Sequence, residues 1–210
     1  MAKESIEKKY WETCAFKYAH LNDGKGRLLR DGTPLEKAYK ENFMDFIDFE
    51  GKVMIDYGIG CGVLGRYLFE NRGLKKYIGI DIAVRTLQIA RHVLRKHPVI
   101  LVLSPMDMRK YKADILTCLA CIQHFPDENH LNGFLENVNK SKVKYAILQI
   151  RSATKMIFNN AYEENGNIGE ACLTNKRYVS EKLTNYKLVK NSKVFPNKYQ
   201  YLIYKRTDLD

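Results

Sequence analysis

Hydrophobic and polar positions change period along the chain. Residues 3–20 place Ile6, Tyr10, Trp11, Ala15, Tyr18 and Ala19 at near-helical spacing, which predicts an amphipathic helix. Residues 22–27 are turn formers and read as a loop. Thr33-Pro34-Leu35-Glu36 then reads as an N-cap, a proline at the first helical position and a glutamate closing a capping box. The helix that follows presents Leu35, Ala38, Tyr39, Phe43, Phe46 and Ile47 on one side. From residue 52 short apolar runs alternate with helical stretches. Strands are expected at Val53–Tyr57, Tyr77–Ile80, Val99–Leu103, Asp114–Ala120 and Val143–Ile150. Helices are expected at Val63–Asn71 (closed by Gly73), Ala83–Lys96 (stopped before Pro98) and Asp127–Lys140. Thr174 is expected to cap a further helix to about Leu183, and Tyr186–Val194 with Tyr199–Arg206 to form two final strands.

Strands alternating with helices imply an α/β fold, a mostly parallel sheet wound with helices on both faces. The closing pair of strands adds an antiparallel hairpin. The boundaries suggest a helical N-terminal cap or lid over residues 1–50, then one doubly wound domain over 51–210. The chain has 210 residues and a net charge of +11. The excess falls in two separated regions, with 9 Lys/Arg against 3 Asp/Glu in residues 51–100 and 11 against 6 in residues 151–210. A nucleic-acid binder concentrates such charge in a stripe or tail, so nucleic acid is not the expected partner. No apolar run reaches the roughly 20 residues that span a bilayer, and the first residues lack the apolar core of a signal peptide. The odd count of five cysteines suits reduced thiols and a cytoplasmic setting. Nothing in the pattern fixes an oligomeric state.

The candidate chemistry lies in Asp56-Tyr57-Gly58-Ile59-Gly60-Cys61-Gly62, after one strand and opening a helix. Glycines there permit a tight turn and bring the backbone close to a ligand, while the helix start offers free amides. Asp81, at the end of the next strand and about 20 residues on, can accept hydrogen bonds from both hydroxyls of a ribose. Asp107, after the third strand, can bond an adenine amino group. The plainer readings are a helix N-cap for Asp81 and a turn residue for Asp107. Gly60 to Gly65 also completes a Gly-x-x-Gly ending, which keeps a nicotinamide-cofactor reading open.

Val53-Met-Ile-Asp-Tyr-Gly-Ile-Gly-Cys-Gly62 and Tyr77-Ile-Gly-Ile-Asp81 resemble the first two motifs of the class I, Rossmann-like S-adenosylmethionine (SAM)-dependent methyltransferases of small-molecule type. Ala113–Asp127, with Gln123-His124-Phe125-Pro126-Asp127 at its end, is similar to their fourth-strand segment, and Leu173–Val189 to their last helix and sixth strand. The resemblance covers residues 52–206. It implies a seven-stranded sheet with the last strand antiparallel, and SAM as cofactor with S-adenosylhomocysteine (SAH) as product. It also implies cofactor contacts from Asp56, Gly58, Gly60, Gly62, Asp81, Ile82, Asp107, Met108 and Ala120, and methyl transfer to an oxygen or nitrogen of a small, anionic or sugar-type molecule. An RNA methyltransferase is the alternative, although the fourth-strand segment lacks the Asn/Asp-Pro-Pro-Tyr/Phe sequence of enzymes acting on base amino groups. A non-catalytic scaffold with the same fold is the other.

By position, His124 is the candidate base, an imidazole with an ordinary pKa of about 6.5 just past the fourth strand. Arg151 at the end of the fifth strand is a candidate clamp for an acceptor anion, and Tyr10 and Tyr18 are candidate substrate contacts from the N-terminal segment. The Cys118/Cys121 pair lies in the predicted strand, where residues three apart face opposite ways, so a metal or redox pair is not expected. Residues 152–173 are expected to form a loop on the substrate side.

Overall fold

The computed structural model describes residues 8–14, 29, 32–104, 108–158, 172–194 and 199–208. Residues 8–14 are helical (α1). Helix α2, Pro34–Tyr39, begins as its sequence prescribes, with the Thr33 side chain accepting the Glu36 amide and proline in the first turn. Two expectations there need correction. Glu36 does not close the box on Thr33: one carboxylate oxygen reaches the Gly32 amide at 3.4 Å, and the other meets the Tyr67 hydroxyl at 2.9 Å and Lys40. The α-helix also gives way at Lys40–Met44 to a π-turn, whose wider loop is closed by the Asp45 amide on the Lys40 carbonyl. One extra residue per turn rotates the apolar face. Phe43, Met44 and Ile47 are buried, while Phe46, expected on that face, is 46% exposed.

Strand β1 is Val53–Tyr57, followed by α3, Val63–Arg72, which ends on Gly73 in the left-handed region. Next come β2, Lys76–Asp81, α4, Val84–Val93, and β3, Val99–Leu103. After a 3-10 turn at Met108–Lys110 come β4, Ile115–Cys118, and α5, Glu128–Ser141, capped by the Asp127 side chain on the His130 amide. Strand β5 is Tyr145–Arg151, β6 Ile157–Phe158 and β7 Cys172–Leu173. Helix α6 is Lys176–Lys182, β8 Tyr186–Asn191 and β9 Tyr199–Arg206. The seven-stranded sheet has the order β3-β2-β1-β4-β5-β9-β8. Strand β9 runs antiparallel to both β5 and β8, whereas the β1/β2, β2/β3 and β4/β5 pairs are parallel. No described helix is long and apolar enough to cross a membrane.

The chain packs as two units, Met1–Met106 and Asp107–Asp210. In the first, Met54, Ile55, Tyr77, Ile78, Ile80, Leu68 and Leu94 are shut away from solvent between strands and helices. In the second, Leu131, Leu135 and Val138 of α5 bury one face at helical spacing, and Ala146, Leu148 and Ile150 of β5 fill its interior. Part of the segment expected to be loop pairs instead: β6 and β7 form a short antiparallel ribbon, and Thr174 bridges to Ser152. That pairing takes Thr174 out of contention as a helix cap. Asn175 does the work, accepting the Tyr178 amide at 2.8 Å. Cys118 ends β4, so Cys121 lies beyond the strand and the opposite-faces argument does not apply to it.

Candidate functional site

The first unit assembles a tight glycine turn. Where β1 ends, Gly58, Gly60 and Gly62 all have positive φ, at 79°, 54° and 76°. The amides of Gly58 and Ile59 both donate to the Ile80 carbonyl at the end of β2, at 2.8 and 3.0 Å. Glycine is required at position 62 on two counts. Its φ is costly for other residues, and an added Cβ would meet Leu94 Cδ1 at 2.8 Å. Gly60 differs: its φ is also left-handed, yet among the described residues a Cβ there would meet nothing within 4 Å. No described residue stands against the backbone at Gly60. Helix α3 starts on Gly62 with no side-chain cap, so its first amides have no capping acceptor from that residue.

Asp81 holds this turn from the neighbouring strand. One carboxylate oxygen accepts the Gly60 amide at 3.1 Å and the other the Ala83 amide at 3.0 Å. Only 8% of the residue is exposed. Burial pushes its pKa up from 3.8 to about 6, against the pull of the Ala83, Gly60 and Ile82 amides. The N-cap reading of Asp81 fails on geometry. Helix α4 has Ala83 at its cap without a side-chain bond, and its first amides, Val84 and Arg85, are taken by the Glu12 carboxylate of α1 at 2.6 and 3.0 Å. Asp56 is buried in β1 and its carboxylate accepts the hydroxyl of Tyr77, whose pKa is raised by that burial and by the carboxylate's charge. Ile82 is half-buried. Leu103, aligned with Asp81 across β2/β3, is 43% exposed and sets apolar surface beside the carboxylate.

The second unit carries the other candidates. Past β4, Ala120 adopts φ 49°, a conformation that costs an alanine about 1–2 kcal/mol. Its amide donates to the Gln149 side chain of β5 at 2.6 Å. The strained residue is followed by a 3-10 turn, Ile122–His124. Burial pushes the His124 pKa down from 6.5 to about 4, so its imidazole is neutral at neutral pH. Arg151 ends β5 with its guanidinium 5.9 Å from the Tyr199 ring centroid. Met108 is buried in the 3-10 turn before β4. In the first unit Tyr10 is half-buried, its ring edge-on to Trp11 at 5.3 Å. Asp107 and Tyr18 lie outside the described residues. Sequence reasoning brought out Asp81 and the glycines but missed Glu12, Leu103 and Gln149. Of these only Gln149 had a local signal, a polar residue inside an apolar strand run. Among the described residues no group of three or more His, Cys, Asp or Glu is placed to hold a metal ion.

A family model described as a methyltransferase domain matches residues 48–202. The chain is 31% identical over 111 residues to the ubiquinone biosynthesis O-methyltransferase of Idiomarina loihiensis, covering 50% of this chain and 44% of that protein. It is 29% identical over 94 residues to the ribosomal protein L11 methyltransferase of Alteromonas mediterranea, covering 43% and 32%. These matches span less than half the length of either relative. Among solved structures, the PH0226 protein of Pyrococcus horikoshii OT3 superposes with a TM-score of 0.62 at 18% identity, covering 84% of this chain and 93% of that one. A TehB-like SAM-dependent methyltransferase from Corynebacterium glutamicum gives 0.61 at 12% identity, covering 95% and 99%. These two likenesses speak to the fold. With the family match extending over most of its length, the chain belongs to the methyltransferase-domain family.

Proposed function

We propose that the protein binds SAM and transfers its methyl group to an oxygen or nitrogen of a small molecule. The observation that carries this reading is Asp81. It is a buried carboxylate beside a left-handed glycine turn, against whose Gly60 no described residue packs. Among the described residues its donors are backbone amides, one from the glycine turn and two from its own loop, and a buried carboxylate is stabilised when a ligand adds further donors. A ribose has two hydroxyls to offer. Asp81 would accept both, the glycine turn and the first amides of α3 would meet the cofactor's carboxylate end, and Leu103 and Ile82 would offer apolar surface to a purine. Asp56 would act by ordering the turn through Tyr77. Asp107, Met108 and Ala120 stay candidates for cofactor contact by their sequence positions, Asp107 for the purine's amino group.

Bound, the cofactor supplies an electrophilic methyl on a sulfonium, so the protein's own work is orientation and exclusion of water. The neutral His124 would accept the proton of an acceptor hydroxyl or ammonium. Its low pKa in a dry setting would rise only beside an anionic or hydrogen-bond-accepting group of the acceptor. Arg151 would hold an anionic group of the acceptor, its fork kept in place by Tyr199; Tyr10 and Tyr18 stay candidates for substrate contact by sequence position. A protein acceptor is the second reading, favoured by the similarity to ribosomal protein L11 methyltransferase.

Calorimetric titration with SAH tests the cofactor half, and micromolar binding is expected. Failure to bind at millimolar SAH would leave the non-catalytic scaffold. SAH release on incubation with a metabolite extract, set against a protein and RNA extract, separates the acceptor classes. Turnover confined to the macromolecular extract would overturn the small-molecule reading.

A further inference from the structure

Helix α4 begins three residues after Asp81 and brings no cap of its own. Ala83 stands at the N-cap without a side-chain bond, yet the next two amides are not left to solvent. Both are bound by one carboxylate, Glu12, which reaches them from 72 and 73 residues away in sequence. The four amides that follow β2 are thus shared by two acids. Ile82 and Ala83 serve Asp81, and Val84 and Arg85 serve Glu12. Charge-assisted bonds at a helix start are favoured by the aligned peptide dipoles as well as by geometry. The helix carrying Glu12 also buries Cys14 and bears Trp11, the only tryptophan of the chain.

We infer that Glu12 is a positioning residue that latches α1 onto the start of α4, so that docking of the N-terminal helix and occupation of Asp81 by a ribose favour one another. The inference rests on the cofactor reading above for its ligand. The physical link is the backbone between residues 81 and 85. A ligand that fixes the Asp81 carboxylate fixes the Ile82 and Ala83 amides, which leaves Val84 and Arg85 pre-set for Glu12. A docked Glu12 does the same in reverse, because coupling between two sites is reciprocal. Glu12 itself need not touch the cofactor.

The test uses the full chain with SAH as probe, read by calorimetry, Trp11 emission and amide hydrogen exchange at Val84 and Arg85. Wild type should bind SAH with a change in Trp11 emission that follows occupancy. Glu12→Ala should weaken SAH binding by about 5–20-fold, within the usual range of coupling between sites. It should also abolish the emission change and speed exchange at both amides without ligand. Glu12→Gln keeps one good acceptor oxygen and should fall between the two, while Lys9→Ala, exposed on the same helix, should match wild type. Wild-type affinity, emission response and exchange in Glu12→Ala would overturn the latch while leaving the function intact. No SAH binding by wild type would overturn the functional reading instead, and exchange at Val84 and Arg85 would still decide whether Glu12 holds them.

Discussion

Proton linkage at Asp81 gives the sharpest test of the cofactor site. Its pKa stands at about 6 in the ligand-free protein, because burial outweighs the amides that favour its charge. A raised carboxylate pKa means that the folded state binds the proton more tightly than the unfolded chain. Its contribution to stability is therefore complete below pH 3.8 and is lost as pH rises through about 6. At pH 7 keeping the charge costs the fold about 3 kcal/mol. Two ribose hydroxyls donating to the carboxylate would stabilise the charged form and return the pKa to about 4. Binding then expels a proton wherever the free carboxylate is protonated. Linkage between about 6 free and about 4 bound predicts SAH affinity roughly ninefold weaker at pH 5 than at pH 7. It also predicts release of about 0.8 proton at pH 5 against about 0.1 at pH 7. Calorimetry in two buffers of different ionisation heat measures both quantities, and Asp81→Asn should lose the pH dependence along with much of the affinity. An affinity that stays level from pH 5 to 7, or one that strengthens toward acid, would refute Asp81 as the ribose ligand.

His124→Ala should slow turnover on the true acceptor by about 100-fold or more if the imidazole takes the proton. With its pKa at about 4, the acid limb of kcat/KM should lie well below the pH 6–7 of an ordinary histidine. A limb near 6.5 that vanishes in His124→Ala would contradict the burial described. Gly62→Ala combines a left-handed φ with overlap on Leu94 and should cost about 2–4 kcal/mol in thermal or urea melts. Gly60→Ala carries the φ penalty alone, so it should be clearly the milder in melts yet should still weaken SAH. Equal Tm losses would mean that residues beyond the described ones pack against Gly60. Tyr77→Phe removes a buried donor to the Asp56 carboxylate and should cost about 1–3 kcal/mol, which the same melts would measure.

Local chemistry was readable from the chain, and distant chemistry was not. The glycine turn, Gly73 ending α3 and the start of α5 within one residue of Asp127 are each decided by a few neighbouring residues, so their positions follow from the letters alone. The antiparallel β9 was legible from a closing pair of alternating runs together with the family resemblance. Asp81 was legible because strand-end position and spacing from the glycines are sequence quantities. The π-turn at Lys40–Met44 was not, since no residue type in it demands the wider loop and burial of Phe43 and Met44 selects it. The Glu12 bonds to α4 and the Tyr77–Asp56 pair join residues 72 and 21 apart. Nothing in either local pattern announces its partner. The strain at Ala120 was equally hidden, because alanine is a poor advertisement for a left-handed backbone.

Strand β9 fills the gap between β5 and β8, yet β8 precedes it in the chain. In a chain that folds stepwise, β8 has no strand of this sheet to pair with, and one edge of β5 stays bare, until Tyr199–Arg206 docks between them. A chain lacking that one strand would leave two edges open to other molecules. Truncation just ahead of residue 199 should therefore lower soluble yield far more than removal of residues 207–210.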